Sequence, residues 1–153
     1  MLFNYRISKY DPQFRSNGIY TRDEWTSVGD VGKYFGGSLF TIEEYLDTEN
    51  RYIGLIQTIP QLLKISHIKI TKLEDYRHRC PYANNQTLFD RERILSVIRD
   101  CLREQYWCEI KASSLVCTFG YDYYIYIKCP LNFSRIKEIS SGYNLYVENN
   151  KTF

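Results

Sequence analysis

Four carboxylates and one indole crowd a short N-terminal stretch: Asp11, Asp23, Glu24, Asp30 and Trp25. Carboxylates can coordinate a cation or exchange protons with a substrate. The spacing here contains no EF-hand loop. An indole among acids on a long loop also suits a protein-binding surface, because tryptophan is enriched among residues that dominate binding energy. The competing structural role is that Trp25 plugs the core while the acids cap turns.

Other reactive side chains were weighed by the same test of spacing. His78-Arg79-Cys80 sets an imidazole close to a thiol. A zinc site needs further ligands at workable spacing, and a Cys–His nucleophile needs a third group to orient the base. Neither assembles from the sequence, which predicts a solvated loop histidine; His67 is equally uninformative. Gly29-Asp30-Val31-Gly32-Lys33-Tyr34-Phe35-Gly36-Gly37 resembles a phosphate loop only superficially. A Walker loop requires Ser or Thr after its lysine, and here Tyr34 follows Lys33. A KH-type clamp wants basic surroundings, and Asp30 has the wrong sign. Turns leading into a helix are the expectation.

The five cysteines are Cys80, Cys101, Cys108, Cys117 and Cys129. None forms a C-x-x-C pair, and an odd count argues against a disulfide framework. Cys101 falls on a helical apolar stripe. Cys108 alternates with Ile110 and Ala112, Cys117 with Leu115 and Phe119, Cys129 with Ile127 and Ile125. A free cysteine behaves as a small buried hydrophobe, so these four are expected to be core thiols and Cys80 the exception.

Glu49 is the polar residue on the apolar stripe of the first predicted helix. A buried carboxylate there needs an Arg, Lys or Tyr hydroxyl; its place on the stripe predicts a partly exposed edge position instead. In the run Phe119 to Lys128, alternation sends Tyr123, Ile125 and Ile127 one way and Asp122, Tyr124, Tyr126 and Lys128 the other. Tyrosines on a sheet can stack bases or form a protein interface.

The elements that must position these residues follow from periodicity. Residues 2–10 alternate as a strand until Asp11-Pro12, and Asn17-Gly18 marks a tight turn. Asp11 to Ser38 reads as a long ordered excursion with one short strand around Trp25 to Val28. Such long connections are often functional. Thr41-Ile42-Glu43-Glu44 is a capping box. It opens a helix with Ile42, Tyr45, Leu46, Tyr52, Ile53, Ile56 and Ile59 on its apolar side, which Pro60 should end or kink. A strand over 66–73 places Ile68, Ile70 and Lys72 in alternation, and 74–86 reads as a loop. A second helix runs from Leu88 to Tyr106, with Asp90, Arg93, Arg99 and Arg103 facing away from its apolar side. Strands follow at 107–112, 114–119 and 122–129, then a short helix at Ser134 to Ile139 and a strand at Tyr143 to Glu148. Directly successive strands pair antiparallel. The fold class is α+β: a largely antiparallel β-sheet with two main amphipathic helices packed on one face.

Composition bounds the rest. A chain of 153 residues is the size of one domain, expected to span 1–153. Net charge is +2, without the basic excess that phosphate contacts usually demand, so nucleic acid is not the expected partner. No run approaches the roughly 18 apolar residues of a membrane span, and the N-terminus lacks a secretory core, which predicts a cytoplasmic protein. Fifteen tyrosines suit half-buried sheet faces and interfaces.

Tyr5-Arg6-Ile7-Ser8-Lys9-Tyr10-Asp11-Pro12, followed by Asp23-Glu24-Trp25-Thr26-Ser27 and Asp30-Val31-Gly32, resembles the start of small bacterial proteins encoded beside polymorphic or contact-dependent toxins. The likeness covers the N-terminal third and implies an immunity factor. The expectation is a non-enzymatic, cofactor-free binding protein that neutralises a cognate toxin domain. Its partner contacts would be Asp23, Glu24, Trp25 and Asp30 on the loop and Tyr124 and Tyr126 on the sheet. The alternative is a small enzyme or RNA-binding module that uses the acidic loop or the tyrosine-rich hairpin.

Overall fold

The computed structural model describes residues 1–150, apart from the side chain of Tyr121. Seven strands make one antiparallel sheet. In chain order they are β1 (Phe3–Ser8), β6 (Ile68–Glu74), β7 (Thr87–Leu88), β8 (Trp107–Ala112), β9 (Leu115–Phe119), β10 (Ile125–Cys129) and β11 (Tyr146–Asn149). Their spatial order is β11-β1-β10-β9-β8-β6-β7. The helices are α1 (Ile42–Leu62), α2 (Arg91–Leu102) and α3 (Phe133–Gly142). The α+β class read from the sequence is the class observed, with the short helix expected at Ser134 to Ile139 extending over Phe133–Gly142 as α3. No helix among the described residues is long and apolar enough to cross a membrane.

Alternation explains the layering. Tyr5 pairs with Ile127, Ile127 with Cys117, Cys117 with Ile110 and Ile110 with Ile70. All five point to the helix side and are buried. They share one hydrophobic cluster with Tyr52, Ile56 and Ile59 of α1, Val97 and Ile98 of α2, and Ile136 of α3. Among the described residues no helix covers the opposite face.

The excursion between β1 and α1 differs from expectation. No strand forms at Trp25–Val28; a single 3-10 turn spans Val28–Asp30 instead. The Asp30 carboxylate accepts the Thr26 amide at 2.9 Å, a local bond that competes with strand pairing. Two small hairpins carry the excursion: β2 (Arg15–Ser16) with β3 (Ile19–Tyr20), and β4 (Tyr34–Phe35) with β5 (Ser38–Leu39). Asn17-Gly18 and Gly36-Gly37 supply the positive φ angles that two-residue hairpin turns need.

Other boundaries shift for local reasons. Thr41 caps α1 by accepting the Glu44 amide. The helix runs through Pro60 to Leu62, because the proline lies in the last turn and forfeits one backbone bond there. Lys72 leaves the predicted alternation: it adopts φ 53° at a register shift between Thr71 and Glu74. Leu88 belongs to β7, paired with Ile68, so α2 starts only after its cap Asp90. Asn144 at φ 55° and the buried Leu145 delay the last strand to Tyr146.

All five cysteines are free; Cys101, Cys108, Cys117 and Cys129 are buried and Cys80 is half-buried, as the alternation implied. Burial pushes the Cys117 thiol up, and hydrogen bonding with Cys108 and burial do the same for Cys101. Thiolate is the reactive form. A thiol-reactive disulfide reagent should therefore titrate at most Cys80 in the native chain and all five cysteines after denaturation. Prompt native labelling of Cys101 or Cys108 would contradict this packing.

Candidate binding surface

A knot of aromatic and ionic contacts anchors the excursion. Trp25 stacks on Phe40 at 4.3 Å between ring centres and meets Tyr45 and Tyr123 edge-on at 5.8 and 5.3 Å. Lys9 lies over Trp25 at 4.3 Å and over Tyr10 at 4.2 Å, and pairs with Glu24 at 3.3 Å. Burial lowers the Lys9 pKa, against the opposing pull of Glu24. Glu24 also accepts from the Tyr20 hydroxyl at 3.1 Å. Tyr123 takes a left-handed backbone, φ 65°, which turns its ring beneath Trp25 before β10 begins.

Below this knot lies a buried carboxylate that helical spacing had assigned to an exposed edge. Glu49 is only 1% exposed. It accepts two bonds from Arg103, at 2.7 and 2.8 Å, and one from Tyr45 at 2.7 Å; Arg99 stands 3.4 Å away. Tyr123 donates in turn to Tyr45. Arg99 and Arg103, expected to face away from the core, instead reach across from α2, because the carboxylate needs countercharge. Tyr52, fully buried, accepts the Lys9 amide at 2.8 Å and donates to the Tyr123 carbonyl at 2.6 Å. One polar chain thus ties β1, α1, α2 and the turn before β10 together.

The residues nominated from sequence separate into different roles. Trp25 and Asp30 hold the excursion: the indole sits in the knot, and Asp30 receives Thr26 and pairs with Lys33 at 3.0 Å. Burial raises the Asp30 pKa, but its backbone bonds and Lys33 outweigh that and leave it lowered. Asp23 is exposed and Glu24 half-exposed. Tyr124 is half-buried on the open sheet face, accepting Arg15 at 2.8 Å, with Arg6 4.8 Å from its ring centre. Tyr126 lies against Gly120, where an added Cβ would come within 2.6 Å of its ring. The acids have separate partners: Asp11 caps the 3-10 turn at Pro12–Phe14, Glu24 pairs with Lys9 and Asp30 with Lys33. His78 is exposed, while the Cys80 amide donates to Asp75 at 2.8 Å. Among the described residues no group of His, Cys, Asp and Glu is placed to hold a metal. A cleft of about 730 Å³ is lined by Tyr106, Trp107, Phe119, Glu74 and Glu104 and by none of the partner contacts expected from the sequence.

The end of the excursion and the first turns of α1 expose four large apolar side chains. Tyr34 and Leu39 are directly paired across the β4–β5 hairpin and are 70% and 44% exposed. Ile42 and Leu46, one turn apart at the start of α1, are 44% and 38% exposed, although periodicity had placed both on the core side. Leu39 and Ile42 are three residues apart, so their Cα atoms lie within about 11 Å. Exposed Glu43, Glu44 and Asp47 flank this strip. The signal was present in the stripe, since Ile42 and Leu46 lie toward one edge of it. Periodicity does not say where the layer beneath a helix ends.

The tyrosines give the knot a pH signature. Burial raises the pKa of Tyr10, Tyr45, Tyr52 and Tyr123, and burial with Glu24 takes Tyr20 to about 12. A raised phenol contributes stability that is intact below the ordinary value of 10.0 and is lost as pH rises toward the folded value. Alkaline titration followed in parallel by phenolate absorbance and circular dichroism reads this. The buried set should ionise only together with loss of circular dichroism. A single smooth phenolate titration with the fold intact would refute the knot.

No protein-family model, curated protein or solved structure matches this chain.

Proposed function

We propose that this chain is a non-enzymatic binding protein, an immunity factor that holds a cognate bacterial toxin domain in the cytoplasm. The observation that carries the reading is the set of exposed apolar side chains Tyr34 and Leu39 on the β4–β5 hairpin and Ile42 and Leu46 at the start of α1, beside an excursion anchored by the Trp25 knot. Contiguous exposed apolar side chains bounded by charge mark interaction sites. Pre-ordering the loop removes the entropy of arranging it on binding. Flanking Glu43, Glu44 and Asp47, with Asp23 exposed on the same excursion, fit a partner that offers apolar anchors within a basic rim. The N-terminal resemblance supplies the toxin as the class of partner.

Co-expression tests it. The polypeptide encoded by the adjacent reading frame should arrest growth alone and be harmless when this chain is made with it. The two should copurify as one complex. Growth arrest that persists despite soluble, folded chain would dismiss the immunity reading.

A further inference from the structure

We propose that the open face of the sheet binds single-stranded nucleic acid. The strand register aligns Asn4, Lys128, Val116, Lys111, Lys69 and Thr87 in one row across six strands. Adjacent strands lie about 4.8 Å apart, so the backbone positions of Lys128 and Lys69 are roughly 14 Å apart. The row contains three lysines and no carboxylate. Both carboxylates of the neighbouring row are taken: Glu148 by Arg6 at 3.1 Å and Arg15 at 3.3 Å, Glu109 by Lys72 at 3.2 Å and the Thr71 hydroxyl at 2.9 Å.

Lys69 and Lys111 are direct cross-strand partners, and both are exposed. Like charges placed directly opposite destabilise a sheet. A single glutamate at either position would relieve the repulsion, so the pair carries a stability penalty that an anionic ligand would offset. The near-neutral total charge conceals this row, because acids elsewhere balance it.

The character of the face selects among anions. The row presents lysines around one half-buried apolar side chain, Val116, a composition that suits a polyanion better than an apolar protein anchor. Half-buried Tyr126 lies in the next row, between Arg6 and Thr118. A tyrosine ring beside lysines suits bases and phosphates of one strand, the ring stacking and the amines neutralising. The β2–β3 hairpin reaches the corner at Tyr124 and Glu148 through Arg15, while in the row Lys69 and Lys111 are exposed and Asn4 and Lys128 half-buried. This site uses none of the Tyr34–Leu46 strip, so either can fail without the other.

The test is fluorescence anisotropy of a labelled oligouridylate titrated with the full chain over a range of salt. Neutralising about three phosphates predicts a slope of log affinity against log salt near −2. Lys111→Glu should weaken binding at least ~10-fold, while the new pairing with Lys69 raises the melting temperature by about 1–3 °C. Tyr126→Leu should weaken binding ~5-fold or more through lost stacking. Lys137→Glu, an exposed site on α3, should leave affinity within about twofold and serves as the matched charge control. No binding at low salt, Lys111→Glu equal to wild type, or equal competition by an acidic peptide would each overturn the proposal. The last would assign the face to an acidic protein.

Discussion

Arg103→Ala should destabilise the fold by about 2–3 kcal/mol, while Arg99→Ala should lower stability by less than about 1 kcal/mol. Removing one member of a buried ion pair typically costs about 3–5 kcal/mol, since it strands a desolvated charge. Both guanidiniums are themselves more than a third exposed, which discounts that figure. The asymmetry comes from geometry: Arg103 makes two short bonds to Glu49, whereas Arg99 stands 3.4 Å off. Hydrogen bonding to Glu49 also raises the Arg103 pKa, so the guanidinium keeps its charge. Denaturant unfolding of the two variants, with a Glu49/Arg103 double-mutant cycle, measures the difference. Equal losses would mean that Glu49 is held by diffuse charge and not by the Arg103 fork. The consequence reaches further than stability. Glu49 orients Tyr45, Tyr45 receives Tyr123, and both rings abut Trp25. Arg103→Ala should therefore loosen the excursion and weaken partner binding without touching the contact surface.

Leu39→Asp should weaken partner binding by about a hundredfold, close to 2.7 kcal/mol, with little loss of stability. Leu39 is 44% exposed on a two-residue strand, so the folded chain loses few contacts. The bound state loses an apolar anchor and gains a carboxylate beside Glu43 and Glu44. Tyr34→Ala, on the facing strand of the same hairpin, should lose about thirtyfold. Titration calorimetry against the co-expressed partner reads both values. A Leu39→Asp complex as tight as the wild type would remove the strip from the interface.

Much of this fold could be read from residue patterns, and the reasons are local. Cys108, Cys117 and Cys129 are buried where alternation placed them, because a strand buried on one face has a strict period of two. The Thr41 cap and the Asn17-Gly18 turn follow from backbone chemistry within a few residues. The features that required distant partners were not legible. Glu49 looked like an edge residue because its countercharge lies 54 positions away in sequence. The lysine row is invisible until register is known, since Lys69, Lys111 and Lys128 belong to three different strands. Sequence alone left Trp25 between plugging the core and presenting a binding surface, and the structure packs it against Phe40, Tyr45 and Tyr123.

Amide hydrogen exchange of the chain, free and mixed with the polypeptide from the adjacent reading frame, tests the central claim most directly. Binding through the strip predicts that added protection falls on residues 33–47, the β4–β5 hairpin and the first turns of α1. The open face of β8–β10 and the outer face of α3 should be unchanged. Protection confined to those other surfaces, or no change at concentrations well above those used for copurification, would contradict it.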